Sequence, residues 1–221
     1  MTASTMIDGD GQVLRPALRG TLHRTSVPVA ICLTVFLAAR ASTAGSRAAV
    51  IVYGTCVVSM LTISGIYHLP SLWHSRRRRL LQRLDHAAIL VATAGTYTAV
   101  IVLGMTGGTR VVMLVLVWIV AAVGVAIRMA WLDGPRVAVG SVYLAVGWFA
   151  LVHPPAFARA LSFGEIALLV AGGLLYTVGA VVFALRRPNP WPAMFGYHEV
   201  FHALVVAAAF CHWVSIYLMV G

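Results

Sequence analysis

Charged side chains are scarce in this sequence, and lysine is absent from it. Only 10% of the 221 residues are charged and 61% are hydrophobic. This composition excludes a disordered chain and argues against a soluble globular domain. The three cysteines form neither a disulfide framework nor a Cys-x-x-Cys metal pair. The strict polar–apolar alternation of barrel strands is also missing, which leaves a polytopic helical membrane protein.

Seven apolar segments predict an all-α bundle of seven transmembrane helices. The segments are Thr25–Ala39, Ala48–Tyr67, Leu84–Gly104, Val111–Ile127, Val137–Val152, Phe163–Leu185 and His198–Val220. Several approach the ~20 residues that cross a hydrocarbon core, while the first and fifth are shorter. The loops are too brief to hold another domain. We therefore expect a short basic cytosolic segment, residues 1–24, followed by one transmembrane domain, residues 25–221.

The arginines predict the orientation of this bundle. If the N-terminus is cytosolic, twelve of the sixteen arginines lie in inner segments, and the outer ones are Arg40, Arg47, Arg110 and Arg159. Arginine-rich loops stay in the cytosol, so the C-terminus is expected outside. We attribute the net charge of +10 to this topology and not to nucleic-acid binding. Arg76, Arg77, Arg78 and Arg79 form a short loop that would lie against anionic phospholipid headgroups, unless it determines topology alone.

The first apolar segment allows an alternative interpretation. Basic residues precede it, and Ala39-Arg40-Ala41 follows it, as in a secretory signal with its cleavage site. Cleavage would leave six spans. We expect the segment to be retained, because the basic stretch is long and a seven-span count fits the family resemblance described below.

Polar side chains within the predicted spans are expected at one common depth. Ser64 and His68 stand near the end of the second span, and Asp85 stands at the beginning of the third. His198 and His202 stand one turn apart at the beginning of the seventh. In the predicted topology all three ends are cytosolic. Polar groups are costly inside a membrane, so their convergence indicates a functional site near the cytosolic face.

Three histidines and one carboxylate at one depth predict a zinc site. Neutral imidazoles of His68, His198 and His202 would supply three ligands and leave a fourth position to a water molecule. Asp85 would hold that water or accept its proton, and Ser64 would hydrogen-bond nearby. The alternative is that these groups are interhelical hydrogen-bond partners. We favour a metal site over hydrogen bonding alone, because three separate helices place complementary ligands at one depth.

His198, Glu199 and His202 also match the H-E-x-x-H pattern of zinc metalloproteases. On a helix, Glu199 lies ~100° round from His198, away from the face that the two histidines share. A third histidine and a second carboxylate are available on other helices, and the short loops offer no cleft for a peptide. We therefore expect Glu199 to contact headgroups, Arg186 or Arg187, and a protease is the alternative.

Four segments resemble the haemolysin III family of bacterial membrane proteins, which is related to the adiponectin and progestin receptors and, more distantly, to alkaline ceramidases. They are SGIYHLP (64–70), LDHAAILVATAGTYTAV (84–100), LLYTVGAVVFA (174–184) and GYHEVFHALVVAAAFCH (196–212). The resemblance implies seven helices, a cytosolic N-terminus and a place in the bacterial inner membrane. It also implies zinc at His68, His198 and His202, with Asp85 and Ser64 in supporting roles.

Three classes of function are compatible with these features. The first is a zinc-dependent hydrolase of membrane lipid amides or esters, with Asp85 as general base. The second is a lipid-sensing receptor whose zinc is structural. The third, cytolytic activity, follows from the family name, but a secreted pore former should be soluble before insertion and this chain is apolar throughout. We expect the hydrolase.

Overall fold

The computed structural model describes residues 16–69, 71, 77–132 and 134–220. Within these ranges the chain forms eight α-helices and a short 3₁₀ helix, and no residue belongs to a β-strand longer than an isolated bridge. The elements are α1 (Thr21–Arg40), α2 (Ala44–Tyr67), α3 (Arg78–Gly104), α4 (Gly107–Ala130), α5 (Arg136–Gly147), the 3₁₀ helix (Phe149–Val152), α6 (Pro154–Ala160), α7 (Phe163–Leu185) and α8 (Tyr197–Val220). The predicted all-α class is confirmed for the described part of the chain.

Six of these helices are long and apolar enough to cross a membrane: α1, α2, α3, α4, α7 and α8. The fifth predicted span, Val137–Val152, is instead divided between α5, which has 12 residues, and the 3₁₀ helix. Tyr97 of α3 lies at the break. Its hydroxyl donates to the Gly147 carbonyl (2.7 Å) and accepts from the Ala150 amide (3.2 Å). The side chain thereby satisfies backbone groups that a helix end leaves free.

Helix ends were predicted well where a local capping signal coincides with the end of the apolar run. α7 begins after Ser162, whose hydroxyl accepts from the Glu165 amide while the Glu165 carboxylate accepts from the Ser162 amide. The loop predicted at Arg76 to Arg79 is wrong for its last two residues, because α3 already begins at Arg78. Hydropathy does not detect a helical turn made of charged residues. Arg76 lies outside the described residues.

α3 is the central helix of the bundle. It packs along α2 and α4, and it also contacts α5 and α8. Close approach to α2 depends on Gly95, since a Cβ there would lie 2.6 Å from the Cβ of Cys56. The outward side chains of α4, including Val111, Ile119 and Val123, are exposed and apolar. The apolar surface and the six long helices make this chain a multi-pass membrane protein.

Arg128, which the predicted topology assigns to an inner segment, is buried at the end of α4. It belongs to the last turn of α4 and is 1% exposed. Its guanidinium donates to the carbonyls of Trp131 (2.8 Å) and Leu132 (3.1 Å) and to Nδ1 of His86 (2.7 Å). The arginine therefore caps the C-terminal end of α4 and joins it to the beginning of α3.

Candidate metal centre

Three histidines meet where α2 ends and α8 begins. His68 is the C-cap of α2, and His198 and His202 stand one turn apart in the first turns of α8. One ligand atom from each residue lies within 4.8 Å of the others, and the Nε2 atoms of His68 and His198 are 3.1 Å apart. Such a group could hold a metal ion.

The chemistry of this group fits a transition metal. Imidazole nitrogens suit zinc, copper, iron and nickel, whereas calcium and magnesium prefer oxygen ligands. His68 and His202 are 4% and 2% exposed, and aromatic rings surround the site. Tyr67 lies against His68 (ring centroids 4.6 Å apart), and Phe183 lies against His198 (5.4 Å). This apolar surrounding limits the access of solvent and competing ligands to the nitrogens.

Asp85 of α3 and Ser64 of α2 are the other two predicted site residues. Both side chains are buried, and the Ser64 side chain lies close to the Asp85 carboxylate. Asp85 is not among the ligand atoms that meet within 4.8 Å in the described part of the chain. Ser64 stands one turn before His68, whose amide donates to the Ser64 carbonyl (3.2 Å). Ser64 is thus on the same helix as the candidate ligand His68, and Asp85 supplies no ligand atom to the group.

Glu199 does not contact headgroups, and its ion-pair partner is neither Arg186 nor Arg187. The side chain is 1% exposed, and its Oε1 lies 2.7 Å from Nε of Arg19. Its Oε2 accepts from the Gly196 amide at 2.8 Å, which caps the N-terminal end of α8. The predicted partners were wrong because α8 turns this carboxylate toward the segment that precedes α1. One oxygen caps α8 and the other faces the Arg19 guanidinium, which disfavours the protease interpretation.

Sequence reasoning missed the contribution of the N-terminal segment to this site. The amides of Ala17 and Leu18 donate to the loop before α8, and Gly20 follows with a positive φ of 73°. A Cβ on Gly20 would lie 2.5 Å from the Cβ of His68. Three residues later, the ring of His23 stacks on the ring of His202. A histidine just before the first predicted span was the available signal, but the pattern did not indicate which helix it touches.

The chain matches known proteins over most of its length. The family model described as "Haemolysin-III related" matches residues 12–213. The chain is 27% identical over 184 residues to the Hemolysin-3 homolog of Bacillus subtilis (strain 168), an alignment that covers 83% of this chain and 82% of the relative. It is 28% identical over 184 residues to Hemolysin-3 of Bacillus cereus, covering 83% and 80%. A shorter match, 39% identical over 72 residues, covers 30% of this chain and 14% of the Adiponectin receptor protein of Drosophila melanogaster. As the sequence motifs predicted, the chain belongs to the haemolysin-III related family.

Proposed function

We propose that this protein is a zinc-dependent hydrolase that cleaves an amide or ester bond of a membrane lipid. The observation that carries the proposal is a three-histidine group that could hold a metal ion. It is accompanied by a buried carboxylate, Asp85, that lies close to Ser64, one turn before His68. Zinc is the proposed metal because three imidazoles and an open position are typical of its catalytic sites.

Each site residue has a separate task in this proposal. His68, His198 and His202 hold the metal through their ring nitrogens. Zinc, when bound, activates a water molecule and polarises the acyl carbonyl. Asp85 accepts a proton from the attacking water, whose oxygen adds to the acyl carbon. When the C–N or C–O bond breaks, Asp85 returns the proton to the leaving amine or alcohol. Ser64 orients the carboxylate by donating its hydroxyl hydrogen.

The position of the group in the bundle supports a lipid substrate. The histidines lie at the ends of helices that span the membrane, which is the depth at which lipid amide and ester bonds lie beneath the headgroups. Arg77 and Arg79, at the beginning of α3, are exposed. We propose that they attract an anionic headgroup and that Asp85, two turns further along the same helix, faces the bond to be cleaved.

The hydrolase proposal is tested by incubating the purified protein with a mixed lipid extract and following fatty-acid release by lipidomics. We expect release that stops when zinc is removed by a chelator and returns when zinc is added back. The matched control is the His202→Ala variant in the same detergent. Release that is insensitive to the chelator, or equal in wild type and variant, would contradict the proposal.

A structural metal is the second candidate, and the match to the Adiponectin receptor protein favours it. In that case the zinc ties the end of α2 to the beginning of α8, and the lipid is a ligand that is bound and released unchanged. The same incubation separates the two functions. Saturable lipid binding with an unchanged lipid composition would show that the protein binds lipid as a receptor does and would contradict the hydrolase proposal.

We also propose seven membrane crossings, with the N-terminus and the histidine group on the cytosolic side. The segment from α5 to α6 runs alongside α3. The Tyr143 hydroxyl donates to the carbonyl of His86 near the beginning of α3 (3.3 Å), and Leu161 lies against Gly104 at its end. This course supports a crossing made jointly by α5, the 3₁₀ helix and α6.

Reporter fusions test this topology. A reporter placed after residue 221 is expected to be extracytoplasmic, because an odd number of crossings separates the two termini. A reporter inserted among residues 77–79 is expected to be cytosolic, and replacing the four arginines of residues 76–79 with glutamine should weaken that preference. A cytosolic C-terminus would contradict the seven-crossing topology.

A further inference from the structure

His23 is a fourth histidine at the candidate metal centre. It lies in the first turn of α1 and is 2% exposed. Its ring is stacked on that of His202, with centroids 3.9 Å apart and planes inclined by 7°. Neither of its ring nitrogens has a hydrogen-bond partner among the described residues. The contact between the two histidines is therefore made by their ring faces.

This stacking excludes His23 as a ligand of the same metal in the arrangement described. A metal bound by imidazole lies near the plane of the ring, and two nearly parallel planes one ring thickness apart do not meet at a common metal. The ligand atoms of His68, His198 and His202 come together without His23. Any effect of His23 on the metal must therefore pass through His202.

The beginning of α1 is anchored firmly enough to hold His23 in this position. The amides of Ala17 and Leu18 donate to the carbonyls of Ala193 and Met194 at 3.0 and 3.2 Å. The ion pair between the partly exposed Arg19 and the buried Glu199 connects the same segment to the first turn of α8. These contacts to α8 and to the loop before it hold the ring of His23 beside His202, which is on α8.

We infer that His23 is a positioning residue that fixes the ring plane of His202 by stacking on its face. A ligand held in its binding orientation loses less conformational freedom when the metal binds, which raises affinity. The inference rests on the proposed metal site, but it does not depend on lipid hydrolysis.

The test compares zinc affinity, measured by competition with a chromophoric chelator, in the purified full-length protein and its variants. His23→Leu retains a similar side-chain volume without a flat ring, and His23→Phe retains the flat ring without nitrogens. We expect His23→Leu to bind zinc roughly 10–100-fold more weakly, the usual effect of losing a group that orients a ligand. We expect His23→Phe to bind close to wild type.

Two further measurements distinguish positioning from general stability. The visible spectrum of the cobalt-substituted protein reports ligand geometry, and it should change in His23→Leu but not in His23→Phe. The melting temperature of His23→Phe should equal or exceed that of wild type, because two buried nitrogens without partners are removed. His212→Ala is the matched control: this partly buried histidine of α8 contacts the Leu169 carbonyl, and its removal should leave zinc affinity unchanged.

Wild-type affinity in His23→Leu would overturn the inference. Equal weakening in His23→Leu and His23→Phe would also overturn it, since the ring face would then be irrelevant. A wild-type protein that binds no zinc would overturn the metal site itself and the inference with it. Metal binding without lipid hydrolysis would affect the hydrolase proposal alone.

Discussion

Replacing His202 with alanine is expected to remove most of the metal from the purified protein. Wild type should contain about one zinc per chain, as a single site built from three imidazoles requires. His68→Ala and His198→Ala should have the same effect, because two remaining histidines do not make a stable site. Metal content after purification and dialysis is the measurement. The effect is expected for each residue separately, since each supplies one ligand atom to the group.

Glu199→Gln is the matched control for the metal measurement. It changes the glutamate of the H-E-x-x-H pattern and keeps one oxygen that can accept from the Gly196 amide, while the ion pair with Arg19 is lost. We expect this variant to retain its zinc. Full metal retention in the triple-histidine variant would end the site hypothesis. Loss of zinc in Glu199→Gln would show that the contacts of Glu199 are needed to hold the histidines in place.

Asp85→Asn is expected to retain zinc and to lose lipid hydrolysis. The three histidines remain, so the metal should stay bound, but an amide does not accept a proton from water at neutral pH. Loss of a general base typically reduces the rate by about 10²–10⁴-fold. Zinc content, melting temperature and fatty-acid release should be measured together on wild type and variant. Zinc retention combined with lost turnover is the result that assigns proton transfer to Asp85.

Ser64→Ala provides the graded control for this result. It removes the hydroxyl that we propose to orient the Asp85 carboxylate, and it leaves the carboxylate in place. We therefore expect a smaller loss of turnover than in Asp85→Asn, with zinc retained. Turnover that survives Asp85→Asn would remove Asp85 from the mechanism, and loss of zinc in that variant would make Asp85 a metal ligand.

The candidate site could be predicted in part because two of its features are local. His198 and His202 are four residues apart, which places them on one face of any helix. Ser64 and His68 have the same spacing on α2. The bundle then brings the His68 end of α2 beside the beginning of α8, as the shared depth of the two clusters predicted.

The sequence by itself determined the membrane class, the family and the apolar segments, because hydropathy and helical spacing are properties of neighbouring residues. Six of the seven predicted spans are long helices, and the fifth is divided. Tertiary structure decided the contacts between distant residues. Glu199 pairs with Arg19 and not with the nearby Arg186, and His23 stacks on His202. Several arginines and histidines lie near the same ends of the helices. Only the packing of α1 against α8 selects which of them meet, and in a membrane that packing depends on shape more than on hydrophobicity.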